Sequence, residues 1–131
     1  MKANLRLLAG ILIGVVGELL VILAAIIYLP RNPAEVIALL MLLVGDAIAV
    51  LIANGSRKIS VFAGMATGIL YCVPVNITNY TTQAGMYSSS HPASFIVINI
   101  IYQVLFLGGV GAAMGLITYR FFIKKRTARG K

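Results

Sequence analysis

Charge is scarce in this sequence and unevenly spread. Three acids, Glu18, Glu35 and Asp46, stand against eleven Lys and Arg, and no charged residue occurs between Lys58 and Arg120. Charged residues make up 11% of the chain, against roughly 25% in soluble domains. A soluble domain of this size could not cover its surface with such a sequence. That excludes a soluble enzyme, a soluble nucleic-acid binder and a disordered chain. Tryptophan is absent, and cysteine and histidine occur once each, as Cys72 and His91. A lone thiol excludes an internal disulfide and a cysteine-based zinc site. His91 beside Pro92 reads as a loop or cap residue, so no metal is expected and haem has no ligand in a span. The chain has no Gly-x-Ser-x-Gly, Cys-x-x-Cys, His-Glu-x-x-His or phosphate loop, so neither enzymatic chemistry nor a cofactor is expected.

What is present is apolar. Of 131 residues 60% are hydrophobic, and the mean hydropathy is +0.99. The expected fold is all-α, an integral membrane four-helix bundle of two helical hairpins running up-down-up-down. The spans are expected at about 5–29, 33–54, 57–75 and 92–119, each near the ~20 residues that cross a bilayer core. Together they make one domain over 1–123, followed by a basic cytoplasmic tail over 124–131. The first span is too long for a secretory h-region and reads as retained. Pro30 ends it. Asn32, Pro33 and Glu35 have the spacing of a capped helix start. Gly55 offers a left-handed stop, and Ser56 a cap for the third span.

The net charge of +8 sits at span ends, which points to orientation rather than to nucleic acid. With both termini in the cytoplasm, Lys2, Arg6, Arg57, Lys58, Arg120, Lys124, Lys125, Arg126, Arg129 and Lys131 lie inside, and Arg31 alone lies outside. The tail from Lys124 to Lys131 reads as a stop-transfer flank that anionic lipid could also meet. An uncharged outer loop is expected from about Asn76 to Ala93. It carries the sequons Asn76-Ile77-Thr78 and Asn79-Tyr80-Thr81, so Asn76 and Asn79 are candidate glycosylation sites.

Every span carries small residues at fourfold spacing, the pattern that lets helix backbones approach closely in lipid. These are Gly10 and Gly14, then Gly45, Ala49 and Ala53, then Gly64 and Gly68, then Gly111 and Gly115. Glu18 shares the Gly10–Gly14 face, and Asp46 adjoins the Gly45 stripe. Each acid lies about 2 Å from its helix midpoint at 1.5 Å per residue. Charged, either costs about 2.5–3.5 kcal/mol or more at the midplane, and no deep Lys or Arg exists to pair with it. Three outcomes are open. A proton neutralises one or both carboxylates, the pair holds a cation, or a basic residue of another subunit meets them. Thr67 with Tyr71, and Asn99 with Gln103, add polar interior candidates four residues apart. As interhelical bonds they contribute about 0.6–2 kcal/mol each.

The expected function is that of an accessory or scaffold subunit of a larger membrane assembly, from the small size and the close-packing stripes. The alternative is a small homo-oligomeric transporter or channel using Glu18 and Asp46 for proton or cation coupling. In size, span count and a lone Glu in span 1, the chain is similar to small multidrug-resistance transporters. It departs from them in lacking tryptophan, in Asp46, in a longer outer loop and in a single fixed orientation. Expected partners are the bilayer and other membrane subunits or further copies of the chain.

Overall fold

The computed structural model describes residues 2–82 and 93–130, and these are almost entirely helical. α1 spans Lys2–Tyr28, α2 Arg31–Ala53, α3 Arg57–Thr82 and α4 Ala93–Thr118. A π-helical turn, Tyr119–Ile123, carries α4 into a short α5, Lys124–Arg129. Among the described residues, three helices are long and apolar enough to cross a membrane: Lys2–Tyr28, Arg31–Ala53 and the continuous helix Val97–Arg129.

α1 and α2 form one closely packed antiparallel pair, and α3 and α4 another. α2 and α3 make the seam between pairs, while α1 also reaches α3 and α2 reaches α4. The reason lies in the stripes. α1 buries Gly10, Gly14, Glu18, Ile22 and Ala25 along one side, and α2 buries Leu42, Gly45, Asp46, Ala49, Val50 and Ala53. These rows follow the three- and four-residue spacing of one helix face. A Cβ on Gly10 would come within 2.5 Å of the Ala49 carbonyl oxygen. At Gly64, Gly68, Gly111 and Gly115 the two backbones of the second pair touch so closely that no Cβ fits without a shift. Outside this interior the coat is apolar: Leu20, Leu39, Ile98 and Leu105 are each more than 60% exposed. So large an apolar exterior marks a membrane or partner surface.

Helix ends differ from expectation. Asn32 does not cap α2, which opens at Arg31 with no side-chain cap. Glu35 instead accepts from Arg31 Nε at 3.0 Å, an exposed i,i+4 pair. The left-handed stop falls on Asn54 (φ 44°, ψ 48°), not on Gly55. Asparagine tolerates this region, and its N–H bonds the Val50 carbonyl at 3.0 Å. Ser56 does receive the Ile59 N–H, at 3.5 Å. α3 continues past Val75 and through Pro74 to Thr82, so the expected loop from Asn76 is helical in its first part. Proline removes one bond to the preceding turn. Beyond it Asn76 ties the helix to α4, which keeps the segment in register. The remainder of that loop, including His91, lies outside the described residues.

Candidate functional site

Glu18 comes from α1, Asp46 from α2 and Thr67 with Tyr71 from α3. Gly14 marks where these helices meet. A Cβ there would lie 2.9 Å from the Gly45 carbonyl oxygen, 3.2 Å from Thr67 Cγ2 and 3.3 Å from Ala49 Cβ. One turn on, the Glu18 side chain lies across Gly45, where any Cβ would overlap its carboxyl group. Gly45 is therefore what admits the acid between α1 and α2. Neither the sequence spacing nor the composition announces that role.

Glu18 and Asp46 are both 0% exposed, and none of their four carboxyl oxygens has a hydrogen-bond partner among the described residues. The Glu18 carboxyl lies over Gly45, the residue that precedes Asp46 on α2. Nearby hydroxyls are committed elsewhere. Thr67 Oγ1 donates to the Ala63 carbonyl at 2.8 Å, and Tyr71 Oη donates across to the Ala38 carbonyl of α2 at 3.2 Å. No Lys or Arg lies between Arg6 and Arg31, between Arg31 and Arg57, or between Lys58 and Arg120. Two charged carboxylates without donors or counter-charge are strongly disfavoured in such a place. Chemically, the arrangement suits a proton or a small cation shared by the pair.

Apolar layers close the acids on both sides. Toward the α1–α2 turn lie Ile22, Leu42, Tyr71, Cys72 and Leu107. Toward the termini lie Val50, Ala53, Ala63 and Ile123. Ile123 reaches this second layer because the π-helical turn places one extra residue ahead of it, its following N–H bonding back to the Tyr119 carbonyl.

The remaining candidates are distributed differently. Asn99 and Gln103 are both half-buried on α4. Gln103 Oε1 accepts from Asn76 Nδ2 at 2.9 Å, and the same amide donates to the Cys72 carbonyl at 2.7 Å. The nitrogen that a glycan would occupy is thus engaged twice inside a helix. Asn79 falls in the same helix, and its side chain lies outside the described residues. Ser60 and Thr118, which sequence reasoning did not select, are buried. Ser60 Oγ has no partner among the described residues, and the Ser60 backbone packs against Gly115. Its position one turn before Gly64 is the signal that could have found it. No group of three or more metal-type ligands occurs among the described residues.

Comparison with protein family models, with curated proteins and with solved structures gave no match.

Proposed function

We propose that this chain is a small multi-pass membrane protein in which α1 to α4 all cross the bilayer, with both termini in the cytoplasm. Its function is transport or conduction, with Glu18 and Asp46 forming the proton- or cation-coupling site, and further copies of the chain assemble with it. The observation that carries this reading is the complete burial of both acids, with no hydrogen-bond partner among the described residues. Acids retained purely to join helices would be expected to bond across them. These have no partner among the described residues, so in this reading their use lies in what they can take up and release. In this reading the apolar layers on either side close the site to both faces.

A second reading is the accessory subunit of a larger assembly. It is favoured by Gly17 and Gly109, which have open space where a Cβ would be. Both stand on helix faces that another helix could approach.

The deciding experiment pairs folding with flux. Glu18→Gln and Asp46→Asn keep shape and hydrogen-bonding ability but cannot titrate. Each variant is expected to fold in detergent at parental yield and to lose proton or cation flux in liposomes. Unchanged flux in both amides, or no flux from the parent chain, removes the transport reading. Recovery of the parent with foreign subunits in fixed ratio from mild detergent would establish the second.

A further inference from the structure

At the end that carries the termini, α3 begins with Arg57 and Lys58, both exposed. Below them lies a shallow, largely open depression of about 490 Å³, lined by Arg57, Lys58, Val61, Phe62 and Met65, all on α3. These positions recur along one side of α3, so the groove descends the helix for about 12 Å at 1.5 Å per residue. Its mouth, at Arg57 and Lys58, is cationic, and the rest of its lining is apolar. Phe62 is 50% exposed, while Val61 and Met65 are half-buried against the glycine face of α4.

Among the described residues no carboxylate side chain lies at this mouth. The acids of the chain are Glu18, Glu35 and Asp46 alone. Two of them are fully buried, and Glu35 is paired with Arg31 at the opposite end of α2. A second copy in the same orientation offers no acid at this level, for the same reason. A soluble anion would satisfy the cations but leave Phe62 and its neighbours unmatched. The ligand that meets both halves has an anionic head and an apolar tail.

We propose that this groove binds an anionic phospholipid of the cytoplasmic leaflet, its phosphate between Arg57 and Lys58 and an acyl chain along Val61, Phe62 and Met65. The site rests on the membrane placement proposed above. It differs from the basic tail, whose Lys124, Lys125, Arg126 and Arg129 are exposed on α5. Charge alone would draw lipid to either place, and Phe121 and Phe122 are exposed beside the tail's cations; what sets the α3 site apart is the depression that Val61, Phe62 and Met65 line next to Arg57 and Lys58.

The test uses the full chain in an uncharged detergent. Thermal stability and retained lipid are measured during titration with phosphatidylglycerol, phosphatidylcholine or inorganic phosphate. Phosphatidylglycerol alone is expected to stabilise the parent and to remain bound. Arg57→Gln with Lys58→Gln should weaken that effect by at least about tenfold. Phe62→Ser should weaken it with the cations intact, and Lys124→Gln with Lys125→Gln should leave it unchanged. An equal response to phosphatidylcholine or phosphate overturns the site, as does an equal loss from the tail variant. If the Arg57/Lys58 variant does not fold, the Phe62 variant and the lipid series still decide. Extraction of the parent from membranes by alkaline carbonate separates the two proposals. A chain that stays embedded yet ignores phosphatidylglycerol loses only this site, whereas one that washes off loses the membrane placement as well.

Discussion

Single positions in the first helix separate tightly packed residues from permissive ones. Gly14 and Gly17 are three residues apart and of one type. A Cβ on Gly14 would press on the Gly45 carbonyl at 2.9 Å, whereas Gly17 has nothing within 4 Å. Gly14→Leu is therefore expected to destabilise the protein in detergent by about 1–3 kcal/mol, as overpacking does. Gly17→Ala is expected to be neutral or to stabilise by up to about 1 kcal/mol through helix propensity. Thermal melts in one detergent compare them directly, and equal losses would mean that the α1–α2 contact lies elsewhere. Gly45 and Glu18 are coupled in the same sense, since a Cβ at Gly45 would occupy the space of the Glu18 carboxyl. Gly45→Ala should destabilise strongly alone and much less in a Glu18→Ala background. The coupling energy should be about 0.5–3 kcal/mol in a double-mutant cycle. Additive effects would place Glu18 away from α2.

Between elements, the α3–α4 pair is held by backbone proximity along Gly64, Gly68, Gly111 and Gly115, and by one side-chain clasp near its far end. That clasp joins Asn76 to Gln103 and sits beyond Pro74, where α3 has lost a backbone bond. Asn76→Ala should lower stability by about 0.6–2 kcal/mol. Adding Gln103→Leu should take away little more, because the two residues share one interaction. Amide exchange after Pro74 is expected to rise in both variants while the glycine-packed part of α3 stays protected. Uniform exchange along α3 would show that the clasp does not hold this segment. The α2 start illustrates a different competition. Asn32 and Glu35 have capping spacing, yet Arg31 lies one turn before Glu35 and attracts its carboxylate. Helix entry is then left to Pro30, whose ψ of 160° already directs the chain into α2.

For the whole molecule, the proposed orientation puts ten Lys and Arg on the cytoplasmic side and Arg31 alone on the other, and this predicts a labelling pattern. In a Cys72→Ala background, an impermeant thiol reagent applied from outside should modify Asn32→Cys and spare Thr127→Cys. The reverse pattern would invert the topology, and labelling of both would mean that the helices do not all cross. The buried acids belong to this scale too, since the site exists only where α1, α2 and α3 converge. Loss of flux in Glu18→Gln with folding intact would locate coupling there, not in a surface shared between copies.

Local rules suffice for much of this protein. Apolar runs bounded by Pro30, Asn54 and Ser56 divide the chain into its first three helices, because the signals of hydropathy and helix punctuation act within a turn or two. The fourfold spacing of Gly10, Gly14 and Glu18 places the acid on a packed face for the same reason. Register between helices is not a local quantity. That Glu18 lies over Gly45, that Gln103 meets Asn76 while Asn99 shares its face, and that Ile123 is turned inward by a π-helical turn all depend on how one backbone slides against another. Many glycine and alanine rows in this sequence allow close approach at several offsets. The choice among them is made by the sum of contacts across the helix pairs, which only the tertiary structure contains.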